Sequence, residues 1–472
     1  MRKKGDIDML EKQKTMRSNM SEGPLLSKMI MFALPLMATG LLQVLYNASD
    51  MIIVGNFSDA GSFAVGAVGA CGALINLIVN AFMGLAIGAG IITAQSVGAR
   101  RHDEVSKIVH TALFSSVICG IAVGVFGFIA CKPLLMRMNI PDELLGEATL
   151  YMKAYFVGVP AMMVYNFLAA TLRSSGDSKR PLIFLSISGI MNVGLNIVMV
   201  LGFGMGAMGV GIATSFAQYA SAIMILVYMV RYDGVCKISL KDVRIHKDKL
   251  FGIIKNGVPA SIQSVVFSLS NVLIQSTINS YGPIVVSGNA AAGNIEGFVY
   301  VAMNALYQTT MTFTGQNVGA GKIKRVKRIV VLSVIMVSIV GLALGGLCVI
   351  FGEPLLSIYE PGSSAEQEAI RQAGILRLRI VGTLYFLCGI MEILSGTMRG
   401  MGKSLLPMGV SIVGTCVFRI AWIYTVCPIA PTNITLLLLA YPVTWFITIL
   451  GHLCCLVFAY RRMARARSVS FA

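Results

Sequence analysis

The chain has 472 residues, 56% of them hydrophobic and only 12% charged, with a mean hydropathy of +0.78. That composition excludes an ordinary soluble globular protein. The net charge of +17 could suit nucleic acid, but the basic residues are gathered in loops and tails, which argues for topology instead.

In chain order, a mixed-charge stretch over residues 1–28 comes first. It lacks a small-residue cleavage site after a short apolar core, so it reads as a cytosolic tail, not a signal peptide. Twelve apolar runs follow, near 29–54, 63–96, 106–131, 147–171, 180–203, 207–230, 255–281, 284–317, 328–352, 370–398, 404–427 and 434–460. Each is long enough to cross about 30 Å of hydrocarbon as a helix. The long second and eighth runs could each be one tilted helix or a helix with a cytosolic extension. Short alternating segments of the β-barrel kind do not occur. The polar, basic stretch 232–249 separates an N-lobe over 29–231 from a C-lobe over 250–460, and residues 461–472 form a second tail. A solvated loop is the preferred reading of that linker, with contact to anionic lipid heads as the alternative.

Of the 38 Lys and Arg, 31 lie in the two tails or in the loops after the even-numbered runs. This positive-inside bias puts both termini in the cytosol of a cell that carries the protein in its plasma (inner) membrane. Lys132, Arg137, Lys153, Arg371, Arg377, Arg379 and Arg419 fall on the other side or within runs. The ten cysteines show no CxxC, and His102, His110, His246 and His452 are dispersed, so neither a disulfide framework nor a zinc site is expected.

The chain also repeats itself. Leu34-Pro35 followed by Asn47 recurs as Val258-Pro259 followed by Asn271. Gln95-Ser-Val-Gly-Ala99 recurs as Gln316-Asn-Val-Gly-Ala320, and Arg173 to Pro181 recurs as Arg399 to Pro407. The offsets are 224, 221 and 226. Two mostly apolar copies, each with six runs, share one orientation in the membrane and are the plan of many secondary transporters.

Only Asp50, Glu296 and Glu392 place a carboxylate well within an apolar run, away from its edges. Such a residue costs roughly 2.5–3.5 kcal/mol on insertion scales, so it normally meets a cation, a proton path or water. Gln43, Asn47 and Asp50 stand at i, i+4 and i+7, one helix face. Asn192 and Asn196 add a short polar face in the fifth run, and Thr214 a hydroxyl in the sixth. One carboxylate among amide and hydroxyl oxygens suits sodium, and the acid alone would serve a proton. The repeat is an internal control: Asp50 maps to Ile274 and Gln43 to Phe267. The eighth run carries its own stripe of Asn289, Glu296, Tyr300, Asn304 and Gln308, which with Glu392 is the expected substrate lining. On that reading Glu296→Gln alters substrate preference more than ion dependence. Gly84-Leu-Ala-Ile-Gly88 is a helix-packing signal, and no phosphate-binding Gly-x-x-x-x-Gly-Lys-Ser/Thr or nucleophile–base cluster is present, which argues against ATP coupling and against an enzyme.

These motifs resemble the multidrug and toxic compound extrusion (MATE) family over about residues 24–460. The telling stretches are Leu34-Pro35 with Tyr46-Asn-Ala-Ser-Asp50, the two Gln-x-Val-Gly-Ala turns and the two Arg-to-Pro turns. The resemblance implies an all-α polytopic protein of twelve transmembrane helices in two parallel six-helix repeats around a V-shaped cavity. It implies an antiporter exporting organic cations against sodium or protons, with Asp50, Asn192, Asn196 and Thr214 as the cation site. It implies no cofactor beyond that ion, no metal beyond sodium at Asp50, no nucleic-acid partner, and a monomer in contact with lipid and small-molecule substrates. Many relatives have an acid where this chain has Asn196. One branch has acids where this chain has Phe267 and Cys388, with Glu392 one turn away as a substitute, so coupling is expected at the N-lobe. A lipid-linked sugar flippase, which would need several cations in its cavity, and an exporter of a neutral metabolite are the alternatives. Arg419 is the main mid-span cation, placed where it could snorkel outward.

Overall fold

A computed structural model describes residues 20–57, 61–138, 140–231, 233–359 and 364–469. The tail readings over 1–19 and 470–472 lie outside the described residues. Among the described residues there is no strand. Hydrocarbon offers no hydrogen-bond partner, so a chain this apolar must satisfy its backbone within each segment.

The N-terminal copy comprises α1 (Leu25–Phe57), α2 (Gly61–Gly98), α3 (His102–Arg137), α4 (Asp142–Ser174), α5 (Lys179–Ile197, extended by a π-helical turn Val198–Gly202) and α6 (Gly206–Arg231). The C-terminal copy begins with α7 (Lys247–Asn279), α8 (Pro283–Gly319) and α9 (Ile323–Ile350). A short α10 (Gly352–Tyr359), which the hydropathy pattern did not suggest, precedes α11 (Ala365–Arg377) and α12 (Tyr385–Gly400). The last two crossings are α13 (Leu405–Ser411) continued through a π-helical stretch into α14 (Phe418–Thr425), and α15 (Ile434–Val469).

All twelve expected runs are helical. Ten are long and apolar enough to cross a membrane by themselves, and α11 with α12, bent by 43° at the break between them, makes an eleventh. The twelfth is α8, whose polar stripe lowers its hydropathy. Both α2 and α8 are single helices.

The chain clusters into two compact units, Leu34–Ser261 and Ile262–Ala472, with Pro24–Ala33 grouped with the second. In the first, α4 packs against α2, α3 and α6, and Phe156, Met163 and Phe167 are fully buried. In the second, α8 packs against α9, α11 and α12.

The duplication is visible in side-chain packing. A Cβ on Gly120 of α3 would lie 2.6 Å from Pro160 Cα, and one on Gly124 3.0 Å from Phe156 O. At the corresponding places, a Cβ on Gly341 of α9 would meet Phe386 at 2.8 Å and one on Gly345 would meet Gly382 O at 2.3 Å. The two repeated turns also close alike. Gly176 N–H bonds Arg173 O and Asp177 N–H bonds Leu172 O, while Gly402 N–H bonds Arg399 O and Lys403 N–H bonds Met398 O. This paired closure requires a left-handed residue, supplied by Gly176 and Gly402. Gly321 fills the same role in the other repeated turn, but its N-terminal counterpart is Arg100, at φ 58°.

The Gly84/Gly88 packing signal is realised within the first unit. A Cβ on either residue would come within 2.3 Å of the backbone of α7, at Ser261 N and Ile253 O.

The linker corrects the expectation of a solvated loop. Cys236 and Ile238 are buried in an apolar cluster with α3, α4 and α6. Ser239 N–H donates to His110 Nε2 at 3.0 Å, and His110 Nδ1 pairs with Ser106 O at 2.7 Å. His246 N–H donates to Thr111 Oγ1 at 3.1 Å. Two apolar side chains placed between polar ones are enough to dock a short basic segment.

Candidate ion-coupling site

The site in the first unit is built on the crossing of α1 and α5. Gly189 opens a notch for the Tyr46 ring: a Cβ there would stand 1.7 Å from Tyr46 Cζ. The Tyr46 hydroxyl reaches Leu185 O and Ser186 O at 3.4 and 3.3 Å. One turn beyond Tyr46 on α1 comes Asp50, and one and two turns beyond Gly189 on α5 come Asn192 and Asn196. The notch therefore sets the register that brings acid and amides together.

Asn196 Nδ2 donates to Asp50 Oδ1 at 2.5 Å and to Asn192 Oδ1 at 3.3 Å. Asn192 Nδ2 in turn donates to Thr214 Oγ1 on α6 at 3.3 Å. Asp50, Asn192 and Asn196 are buried and Thr214 is half-buried. No Lys or Arg among the described residues pairs with Asp50, so its charge is answered only by neutral dipoles. Asn196 Oδ1 is buried and accepts no hydrogen bond. A lone carboxylate beside an orphaned carbonyl oxygen and a hydroxyl is a donor-hungry set, and either a proton or a hard monovalent cation would satisfy it. The residues present thus fit the ion that the sequence implied. Tyr151 and Tyr155 of α4 lie within electrostatic reach of Asp50. No motif marked them, because tyrosines four apart in an apolar helix read as packing.

Gln43 and Asn47 do not join this cluster. Both are exposed, whereas Asp50 is buried. Asp50 and Val54, two turns beyond Gln43 and Asn47 on the same face, are buried, so the two amides point the same way but stand at a level that no neighbour covers.

In the second unit the polar stripe of α8 divides. Glu296 is buried and forms a two-pronged ion pair with Arg377, Nε to Oε1 at 3.0 Å and Nη2 to Oε2 at 2.7 Å. Asn289 Oδ1 accepts the remaining Arg377 fork. Glu296 is therefore a paired interior acid, which corrects its placement in an open substrate lining. Tyr300 is 41% exposed. Asn304 and Gln308 are half-buried and bonded to each other at 2.7 Å, and Glu392 is half-buried.

Phe267 and Cys388, where one branch of relatives carries acids, belong to an apolar cluster with Met391, Leu394 and Trp445. Ile274, opposite Asp50 in the repeat, is buried with Ile278 and Leu437. Arg419 does not snorkel: it is 2% exposed, with its guanidinium 4.6 Å from the Tyr441 ring centre.

The sequence model of the MatE family matches residues 35–198 and 259–425, one block in each copy. Probable multidrug resistance protein YoeA of Bacillus subtilis (strain 168) is 29% identical over 394 residues, covering 81% of this chain and 83% of that one. Multidrug export protein MepA of Staphylococcus saprophyticus is 21% identical over 383 residues, covering 79% of this chain and 81% of its own. Among solved structures, the outward-facing conformation of a multidrug resistance MATE family transporter of the MOP superfamily superposes with a TM-score of 0.85 at 19% identity, covering 95% of this chain and 98% of that one. With the family model spanning both copies, the chain belongs to the MatE family of multidrug efflux transporters.

Proposed function

We propose that the protein is a secondary antiporter of the plasma membrane, with both termini in the cytosol. It exports amphipathic organic cations in exchange for sodium or protons that enter through the site at Asp50. The observation that carries this reading is the buried Asp50–Asn196 pair with its unanswered Asn196 Oδ1. With no bound ion, a buried carboxylate in an amide cradle is costly; a proton on Asp50, or a sodium ion shared by Asp50, Asn196 and Thr214, removes the charge imbalance. Asn192 orients Asn196 by accepting its second N–H. The apolar packing at Phe267, Cys388 and Ile274 supports coupling by one unit only. Tyr300, Asn304, Gln308 and Glu392 supply polar contacts for the solute, and their sparse acidity suits a hydrophobic monocation.

The test is dye efflux from vesicles under a sodium gradient or a proton gradient imposed separately. Asp50→Asn is expected to abolish coupled efflux while leaving the protein in the membrane. Undiminished coupled efflux by that variant would sink the reading, and the gradient that drives the wild type names the ion.

A further inference from the structure

Charge in the interior of the second unit does not balance. Arg377, Arg399 and Arg419 are buried there. Glu296 is fully engaged by Arg377. Arg399 is held by Gln263 Oε1 at 2.8 Å and by the Tyr307 hydroxyl, and among the described residues no ion pair joins Glu392 to Arg419. Arg419 is left with one neutral hydrogen bond, Nη2 to Thr444 Oγ1 at 3.3 Å, and the face of Tyr441. Its Nε–H is buried and has no partner.

An unpaired guanidinium at this depth costs several kcal/mol, and a cation–π contact with one neutral bond offsets only part of that. The Arg377 guanidinium lies 5.2 Å from the centre of the same Tyr441 ring, which adds a like charge to the neighbourhood. The surroundings suit a small anion. Thr444 spends its own proton on Ala440 O at 2.6 Å and meets Arg419 as a neutral acceptor only, which leaves the guanidinium without a counter-charge. The guanidinium lies on the ring of Tyr441, which packs edge to face on Trp445 at 6.0 Å, and Trp445 packs in turn on Tyr385 at 5.4 Å. A π-helical stretch, Ile412–Val417, ends two residues before Arg419, and such stretches are frequent at functional sites.

We infer that Arg419 anchors a monoanion site in the second unit. The group it takes is the carboxylate of a zwitterionic transported solute, which carries that anion beside its cationic group, or a free halide; both present the guanidinium with the same charge and acceptor. Aromatic walls make an aryl carboxylate the better fit. This site is separate from the Asp50 cluster and does not rest on coupling there.

The chain has only two tryptophans, Trp422 and Trp445, and Trp445 stacks on Tyr441 at 6.0 Å. The experiment uses full-length protein in detergent with Trp422→Phe, titrated with bromide at constant ionic strength against sulfate, and then with benzoate. Saturable quenching of Trp445 by bromide, relieved by benzoate, is expected, together with a rise in Tm that saturates as single-site linkage requires. Arg419→Gln should abolish both effects. Arg419→Lys, which keeps the charge but loses the planar fork, should weaken them by tenfold or more. Stabilisation by benzoate alone identifies a solute carboxylate, and by bromide alone a free halide. Quenching that is unsaturable, or that persists in Arg419→Gln, overturns the site, as does an Arg419→Met variant with unchanged anion response. Asp50→Asn should leave the titration unchanged, so a failure of ion coupling and a failure of this site are read separately.

Discussion

Gly189 should decide whether the ion site assembles. A methyl added there would sit 1.7, 2.1 and 2.2 Å from three atoms of the Tyr46 side chain. Ordinary carbon contacts lie near 3.5–4.0 Å, so the ring, or α1 with it, must retreat by about 2 Å. Overpacking of this kind costs about 1–3 kcal/mol. Asp50 is one turn from Tyr46, and the Asn196–Asp50 bond is only 2.5 Å long, so a shift of that size takes the pair beyond hydrogen-bond range. A bond to a charged group contributes about 1.5–3 kcal/mol, which is roughly one to two decades in affinity. Gly189→Ala should therefore raise the half-saturating concentration of the coupling ion in vesicle efflux by 10- to 100-fold, with normal amounts of protein in the membrane. Gly194→Ala on the same helix is the control, because a Cβ there meets nothing within 4 Å. Tyr46→Ala combined with Gly189→Ala should recover most of the ion dependence. Unchanged ion dependence in Gly189→Ala with folded yield intact would refute the claim that this notch sets the register.

Three further expectations follow from local geometry. Glu296→Gln leaves the Arg377 charge buried and half-answered, so folded yield should fall by the equivalent of about 3–5 kcal/mol; Glu296→Gln with Arg377→Met should restore much of it, as measured by detergent size-exclusion profile. Gly321→Ala forces a side chain into the left-handed region at φ 74° and should lower Tm by an amount worth about 1 kcal/mol, whereas Arg100→Gly at the matching turn should be neutral or stabilising. Burial, with Arg244 and Lys107 nearby, lowers the pKa of His246 in the linker. A depressed histidine contributes stability that is fully present above its ordinary value of about 6.5 and is lost as pH falls from there through its lowered folded value. Amide exchange over 239–247 should therefore quicken below about pH 6.5, by a modest factor because the ring is half-buried, and His246→Gln should flatten the profile.

The helices were legible because hydrocarbon leaves a spanning chain no alternative, so hydropathy alone finds them. The turns were legible because a left-handed residue recurs at a fixed offset. Partners were not legible. Glu296 is 81 residues from Arg377, and no local pattern couples them. Gln43 and Asn47 share a helix face with Asp50 but not its burial for a related reason: periodicity reports direction around a helix, while burial depends on what a neighbour covers at each level. The linker was misread because its polar majority outweighs the two side chains, Cys236 and Ile238, that dock it.

The duplication sets Asp50 of the first unit against Arg419 of the second. At the offset of 226 that relates the Arg173 and Arg399 turns, Asn192 and Asn196 stand opposite Phe418 and Trp422, and Arg419 stands opposite Val193. Asp50 stands opposite Ile274, which is sealed in an apolar cluster. Each copy has thus kept an intramembrane charge on an equivalent set of helices while the other copy fills that position with an apolar side chain. Uncompensated charges are expensive in hydrocarbon, so a charge without a function should be replaced by an apolar side chain, as both apolar counterparts illustrate. That Asp50 and Arg419 both persist without an ionic partner of their own is best explained if each meets its counterion from outside the protein, a cation in the first unit and an anion in the second.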